Sequence, residues 1–268
     1  MDYRDKFSLK GKTCFVLGGS GLIGSEVCKS FLDFDAKVVC LDLLFNKREE
    51  GILEEHDEFY FVEFDCSDLD NTERNLDEIV SLHGCPDVFV NASYPHTDSW
   101  KDSNFNELDL KSLRQNLEIN LVSATWISRL AAELMKEKQI EGKIINLGSI
   151  YGLVGQNLNI YEGTSMKENA IYSIIKGALI QQTRQMASIY GDFNIRVNCV
   201  SPGGIEGPIA GENKKQEDRF YKNYAEHAPL NRLAKAEEIA PAVIFLASDA
   251  SSYVTGINLI IDGGWTAI

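Results

Sequence analysis

The sequence predicts an α/β protein built on one doubly wound, seven-stranded parallel sheet with helices on both faces. Short apolar runs of strand length alternate with longer segments of helical periodicity along the whole chain. The strand-like runs are almost continuously apolar, which is typical of parallel strands that are buried on both faces. The 268 residues contain no internal repeat, linker or low-complexity tract. We therefore expect residues 1–268 to form a single domain.

Composition limits the classes of partner. The formal net charge of −14 argues against nucleic acid and against anionic membrane surfaces. The sequence has no apolar run of about 18 residues, and its start lacks the apolar core of a signal peptide. The six cysteines are scattered without a Cys-x-x-Cys pair, which predicts a reducing, cytoplasmic setting. The four histidines lack metal-ligand spacing, so we expect no metal site.

The elements follow one another with short connections. Apolar runs predict strands at 13–17, 37–41, 59–64, 87–91, 143–147, 195–200 and 257–262. Helical periodicity predicts helices at 22–34, 69–82, 107–137, 169–190, 213–228 and 237–246. Strands and helices that alternate with short loops in this way predict a parallel sheet covered on both faces.

The first strand runs directly into a glycine-rich turn, residues 18–24, and then into a helix. The turn reads Gly18, Gly19, Ser20, Gly21, Leu22, Ile23 and Gly24. Strand, glycine turn and helix in this order are typical of a Rossmann fold, in which the backbone approaches a pyrophosphate and the helix N-terminus offers free N–H groups.

Asp42 ends the second strand, eighteen residues after Gly24. A carboxylate at this position can accept hydrogen bonds from both ribose hydroxyls of NAD. A 2′-phosphate beside it would be repelled, with only Lys47 and Arg48 nearby to compensate. The sequence thus predicts NAD as cofactor, with NADP disfavoured. The alternative for Asp42 is a helix cap or turn residue.

Tyr172 and Lys176 lie four residues apart in the predicted 169–190 helix, and therefore on one face of it. An ammonium beside a phenol favours the phenolate, so we expect the pKa of Tyr172 to be lowered toward the range useful for acid–base chemistry. The alternative for this pair taken alone is a surface tyrosine in contact with a lysine.

Further markers stand in a fixed order around this pair. Besides the glycine turn they are Asp65, Asn91-Ala92, Asn120, Ser149, Tyr172, Lys176, Pro202-Gly203, Pro229-Leu230, Arg232-Leu233, Glu238-Ile239-Ala240, Val254-Thr255-Gly256 and Asp262-Gly263-Gly264. With them the chain resembles the short-chain dehydrogenase/reductase superfamily over essentially its whole length.

The resemblance implies roles for individual residues. Tyr172 would be the acid/base, Ser149 its hydrogen-bonding partner at the substrate oxygen, Lys176 the ligand of the nicotinamide ribose, and Asn120 the holder of a water linked to Lys176. The cofactor-binding residues implied are Gly18, Ser20, Gly21, Leu22, Ile23, Gly24, Asp42, Asp65, Cys66, Asn91, Ala92, Tyr172, Lys176, Pro202, Gly203 and Ile205. The alternatives are a turn serine at Ser149 and a backbone-bonded asparagine at Asn120.

The sequence departs from the superfamily pattern at three positions. Leu17 stands where the family has threonine, Ser93 replaces the glycine of Asn-Ala-Gly, and Gly207 replaces the threonine that binds the nicotinamide amide. A narrower resemblance, to the flagellin-modification oxidoreductases, is carried by Tyr94-Pro95 and by the stretches 149–152 and 160–166. It implies a sugar-like substrate.

Together these features predict an NAD(H)-dependent oxidoreductase that interconverts a secondary alcohol and a ketone, with a sugar derivative as substrate. The alternatives are an epimerase or dehydratase that uses NAD transiently, and a non-catalytic NAD-binding regulatory protein. By analogy with the family we expect a homotetramer or homodimer packed through the 107–137 and 169–190 helices.

Two segments are expected to serve the substrate. Ser149 and Tyr172 are 23 positions apart, more than in the typical family member. The additional segment, about 156–167, is rich in hydrogen-bonding side chains. We expect it to form a pocket wall with residues 94–96, so that shortening it would raise the substrate KM. Residues 203–228 are expected to act as a lid.

Overall fold

The computed structural model describes residues 2–45, 53, 55–97, 100, 103–208 and 216–268. It contains a seven-stranded sheet in the order β3-β2-β1-β4-β5-β6-β7, with every pair parallel. The strands are β1 Thr13–Leu17, β2 Lys37–Asp42, β3 Phe59–Glu63, β4 Val88–Asn91, β5 Lys143–Leu147, β6 Arg196–Pro202 and β7 Asn258–Ile261. The predicted single-domain Rossmann fold is confirmed.

The helices over the sheet are α1 Leu22–Asp33, α2 Thr72–His83, α3 Leu110–Leu117, α4 Ser123–Glu137, α5 Ala170–Tyr190, α6 Asp218–Ala225 and α7 Ala240–Ala247. The helix predicted at 107–137 is interrupted, because a π-helical stretch, Glu118–Val122, joins α3 to α4. The helix predicted at 213–228 is shorter than expected, and its residues 213–215 lie outside the described part of the chain. Of the expected lid segment 203–228, residues 209–215 are likewise outside it.

The inner strands are largely apolar because they separate two cores. Cys14 and Val16 of β1 belong to the cluster that packs under α1 and α7. Phe15 and Leu17, which point the other way, belong to the cluster that packs under α2, α4 and α5. All four side chains are at most 1 % exposed. The alternation of faces therefore accounts for the uninterrupted apolar runs in the sequence.

The strand order reverses at β1, which pairs with β2 on one side and with β4 on the other. In open α/β sheets a crevice forms at such a reversal, outside the carboxyl ends of the strands. The glycine turn follows β1 at this edge, and Ala92-Ser93 follows β4. The topology thus places the two ends of the predicted site on the same edge of the sheet.

All six cysteines are free thiols. Among the described helices, none combines the length and the apolar character that a membrane crossing needs.

Candidate active site

A cleft of about 740 Å³ lies at the carboxyl edge of the sheet. Thirteen of the predicted cofactor residues line it: Gly18, Gly21, Leu22, Ile23, Gly24, Asp42, Cys66, Ala92, Tyr172, Lys176, Pro202, Gly203 and Ile205. The other three, Ser20, Asp65 and Asn91, are not among the lining residues, and neither are Ser149 and Asn120. The cleft therefore joins the predicted cofactor residues to Tyr172 and Lys176, which are remote from them in sequence.

The glycine turn is shaped by close backbone contacts. Gly18 has φ +75°, and a Cβ there would lie 2.7 Å from the backbone of Ser93. A Cβ on Gly24 would lie 2.0 Å from the Gly18 carbonyl oxygen. Helix α1 begins behind Gly21, which supplies no side-chain cap for the first N–H groups. A turn made mostly of glycine, before a helix N-terminus without a side-chain cap, fits a pyrophosphate.

Asp42 ends β2, which lies three strands away from β5, the strand whose Leu147 carbonyl accepts a hydrogen bond from Lys176. Its two carboxylate oxygens accept hydrogen bonds from the backbone N–H groups of Ser20, at 3.0 Å, and Leu43, at 2.8 Å. Burial raises the pKa of Asp42, and these two hydrogen bonds oppose that rise. Asp42 therefore acts in part as a turn residue, which was the alternative reading of its role. Its carboxylate also lines the cleft, where it fits a ribose. Lys47 and Arg48 lie outside the described residues.

The side chains of Asp65 and Asn91 accept hydrogen bonds from residues of their own loops. The Asp65 carboxylate accepts hydrogen bonds from the Ser67 N–H at 2.8 Å and the Ser67 hydroxyl at 2.7 Å. The Asn91 Oδ1 accepts from the N–H and hydroxyl of Ser93, at 3.2 and 2.8 Å. The Nδ2 of Asn91, however, is buried with no partner in the described structure. That donor is available to a ligand in the cleft.

Tyr172 is positioned by the start of α5. Asn169 caps the helix, its Oδ1 accepting the Tyr172 N–H at 2.9 Å. Lys176, one turn on, is only 4 % exposed and donates to the Leu147 carbonyl at 2.7 Å. Burial lowers the pKa of Lys176 to about 8. Its ammonium lies 5.6 Å from the centre of the Tyr172 ring.

The expectation that the pKa of Tyr172 is lowered is wrong for this structure. Burial raises the pKa of Tyr172, because the phenolate would lose its hydration, and only a hydrogen bond with Ser149 opposes that rise. The Lys176 ammonium, 5.6 Å from the centre of the Tyr172 ring, donates to the Leu147 carbonyl and not to the Tyr172 hydroxyl. The Ser149 hydroxyl also accepts the Tyr151 N–H at 3.2 Å, so the turn role and the Tyr172 contact coexist.

Asn120 lies within the π-helical stretch, a local geometry found at functional sites. Its Nδ2 donates to the carbonyls of Pro95, at 3.1 Å, and Asn116, at 3.2 Å. Its Oδ1 is buried without a partner in the described structure. Asn120 therefore ties the loop after β4 to the helix, and it still has an acceptor free for a water.

An aromatic group surrounds Tyr172. The ring of Tyr94 contacts the rings of Tyr172, at 5.1 Å between centroids, His96 at 5.5 Å and Trp100 at 4.9 Å. The Lys176 ammonium lies 4.9 Å from the Tyr94 ring centre. Trp100 was not identified from the sequence. The signal that could have found it was the density of aromatic residues after β4.

The 156–167 segment does not form a wall of the cleft as expected, since none of its residues lines it. Its side chains are used within the protein. Gln156 donates to the Asn169 carbonyl at 2.7 Å and to the Ser173 hydroxyl at 2.9 Å, and accepts from the Tyr161 hydroxyl at 2.9 Å. Asn223 of α6 donates to three backbone carbonyls of the segment. The segment therefore supports the start of the helix that carries Tyr172.

A doubly wound parallel sheet with a glycine turn and a tyrosine–lysine pair in one cleft is the arrangement of a dinucleotide-binding oxidoreductase. The family model described as enoyl-(acyl carrier protein) reductase matches residues 20–266. The chain belongs to the short-chain dehydrogenase/reductase family, and it is an oxidoreductase of that family.

Several known proteins are similar over nearly the whole chain. The post-translational flagellin modification protein A of Campylobacter coli is 29 % identical over 263 residues, covering 96 % of this chain and 99 % of its own. The L-fucose dehydrogenase of Mus musculus is 30 % identical, with coverages of 95 % and 88 %. A short-chain dehydrogenase from Leptospira borgpetersenii, crystallised with bound NAD+, is 30 % identical with a TM-score of 0.85, and the match covers 99 % of this chain and 96 % of that chain.

Proposed function

We propose that the protein is an NAD(H)-dependent oxidoreductase that interconverts a secondary alcohol and a ketone on a sugar derivative. One observation carries the proposal: a single cleft brings together the Tyr172–Lys176 pair, with Tyr172 half-buried and Lys176 buried, and the Asp42 carboxylate. The first supplies a proton donor and acceptor, and the second suits a ribose with two free hydroxyls.

The cofactor would be held by this chain's own groups. The N–H groups of the glycine turn and of the α1 N-terminus would bind its pyrophosphate, Asp42 one ribose, and Lys176 the other. When bound, the nicotinamide supplies the hydride acceptor or donor. The cradle at Gly18 and Gly24 and the unpartnered Nδ2 of Asn91 support this fit. The NAD+ bound to the Leptospira relative supports the choice of cofactor.

The acid–base work falls to Tyr172. Its hydroxyl gives a proton to the substrate oxygen in reduction and takes one in oxidation, while Ser149, already hydrogen-bonded to it, orients the oxygen. The Lys176 ammonium lies beside the Tyr172 ring, and the free Oδ1 of Asn120 can hold a water that would connect this end of the cleft to solvent.

The sugar class rests on two relatives. The Campylobacter protein is named for flagellin modification and the Mus musculus protein for L-fucose oxidation. A panel of sugars and polyols tested with NAD, followed by the absorbance of the reduced nicotinamide, checks the proposal. NADH formed in proportion to product supports an oxidoreductase. A product without net NADH would instead identify the epimerase or dehydratase alternative, and NAD binding without turnover the non-catalytic one.

We also propose a homo-oligomer in a reducing compartment such as the cytoplasm. Val122, Ile174 and Ile189 are 44–51 % exposed on the helical surfaces expected to pack between subunits. The six free thiols support the compartment. Light scattering at micromolar concentration should give a dimer or tetramer mass, and a stable monomer would contradict the proposal.

A further inference from the structure

The side chains that line the cleft carry few charges. Among the described lining residues, Asp42 and Lys176 are the acidic and basic ones, apart from His96. Asp42 lies at the proposed cofactor end. Lys176 donates to the Leu147 carbonyl and lies against two aromatic rings. Among the described residues that line the cleft, the end near Tyr172 therefore has no arginine or second lysine that could pair with a phosphate or carboxylate of a substrate.

The loop after β4 gives the catalytic end neutral aromatic groups. Tyr94 and His96 both line the cleft, and their rings contact each other at 5.5 Å between centroids. Burial raises the pKa of the Tyr94 phenol and lowers the pKa of the His96 imidazole, so both are uncharged at neutral pH. Trp100 packs against both rings, at 4.9 and 5.0 Å. The pair is therefore held in place.

Each of these two residues has an unused polar atom. The Tyr94 hydroxyl and the His96 Nε2 are buried and have no hydrogen-bond partner in the described structure. Buried polar groups are nearly always paired, and an orphaned one at a cleft is explained when a ligand completes it. A phenol can donate and accept a hydrogen bond, and a neutral imidazole nitrogen can do one or the other. Both match alcohol hydroxyls.

We propose that Tyr94 and His96 form the substrate subsite and that they select an uncharged polyol or sugar ring over its phosphorylated or nucleotide-linked forms. This inference rests on the proposed oxidoreductase function. The aromatic rings contact the C–H side of the sugar, and the two orphaned atoms bind its hydroxyls. An anionic group would be desolvated there with no cation to pair with among the described lining residues other than Lys176, on a chain whose net charge is −14.

The test compares matched ligands on the wild-type protein with NAD. Binding of L-fucose and other free hexoses is measured by ligand-detected NMR or calorimetry beside their 1-phosphates and nucleotide-linked forms. We expect at least one free sugar to bind about tenfold or more tightly than its phosphorylated counterpart. Tighter binding of the charged forms, or no binding of free sugars, overturns the inference. Because binding does not require turnover, this outcome is independent of the NADH assay that tests the proposed function.

Two variants locate the subsite. Tyr94→Phe and His96→Phe each remove one orphaned polar atom and keep a ring, and each should raise the KM for the preferred sugar about tenfold with kcat nearly unchanged. NAD affinity should stay as in the wild type. Tyr60→Phe is the matched control, since Tyr60 lies on β3 with its ring against His83 and Lys37. If both cleft variants behave like this control, the subsite is elsewhere and the proposal fails.

Discussion

The two ends of the cleft are built in different ways. At the cofactor end, both oxygens of Asp42 already accept backbone N–H groups, and the glycine turn is fixed by backbone contacts. At the catalytic end, Tyr94, His96, Asn120 and Tyr151 each have a buried polar atom without a partner in the described structure. The proposed cofactor end is thus fixed mainly by backbone contacts, with the Asn91 Nδ2 as an unpartnered donor, whereas the proposed catalytic end has several side-chain atoms for a ligand to complete.

This difference indicates which end of the cleft would determine substrate specificity. A cofactor that is the same for many enzymes can be bound by backbone groups, whose geometry the fold sets. A particular substrate needs side chains that are held rigidly but remain unpaired. Here that rigidity comes from ring contacts around Tyr172 and from the hydrogen bonds of Gln156 and Asn169. Changes at the two ends should therefore have separable effects on cofactor binding and on turnover.

The largest difference between the effect on turnover and the effect on cofactor binding is expected for Tyr172→Phe. Removing the hydroxyl removes the proposed proton donor but keeps the Tyr172 ring, Lys176 and the other predicted cofactor residues, so kcat should fall by about 10²–10⁴ while NAD affinity stays nearly unchanged. Steady-state kinetics and NAD titration measure the two effects. Activity within about tenfold of the wild type would place the acid/base elsewhere, with Tyr161 or Tyr151 to be examined first.

At the cofactor end, Asp42→Ala should change cofactor choice and spare the chemistry. Wild-type protein should prefer NAD, because a 2′-phosphate near the Asp42 carboxylate costs on the order of 3–4 kcal/mol at an effective dielectric near 20. The variant should lose most of this preference, as measured by the ratio of kcat/KM for NAD and NADP. Equal or better efficiency of the wild type with NADP would defeat the assignment.

A pH experiment probes the desolvation of the catalytic end. The pKa of Lys176 is lowered from 10.5 to about 8 by burial. Between these values the unfolded chain binds a proton that the folded chain does not, so this group makes the free energy of unfolding rise with pH, by about 3 kcal/mol in all. Below pH 8 both states are protonated, and the contribution no longer changes.

Denaturant unfolding of the wild type and of Lys176→Met checks this sign. The wild type should gain stability relative to the variant as pH rises from about 8 to about 10. Burial also lowers the pKa of Lys143, but this residue is present in both proteins. The difference between the two stability profiles therefore reports on Lys176. Parallel pH profiles would show that the folded Lys176 titrates at its ordinary value.

The smallest effect is expected for Gln156→Ala, at the support of the catalytic helix. The change removes the hydrogen bonds to Asn169 and Ser173 and should cost about 1–3 kcal/mol of unfolding free energy. Because Asn169 caps the turn that carries Tyr172, kcat should fall several-fold with the substrate KM little changed. Gln181→Ala, at an exposed hydrogen bond to Arg184 on the same helix, is the control. A raised KM at constant kcat would restore direct substrate recognition by the 156–167 segment.

The sequence alone determined the sheet, the glycine turn and the position of the Tyr172–Lys176 pair. β1 and β5 lie where the apolar runs placed them, and α5 begins one residue after the predicted start. These features are local, since apolar periodicity, glycine spacing and a four-residue separation on one helix face are readable within a short window.

Only the tertiary structure decided the rest. The pKa of Tyr172 was predicted in the wrong direction, because its sign depends on how deeply the fold buries the phenol and on where the Lys176 ammonium points. The 156–167 segment was expected in the cleft, but Gln156 and Asn223 direct its polar groups into the protein. Desolvation and hydrogen-bond partners are set by groups distant in sequence, and a pattern read along the chain contains neither.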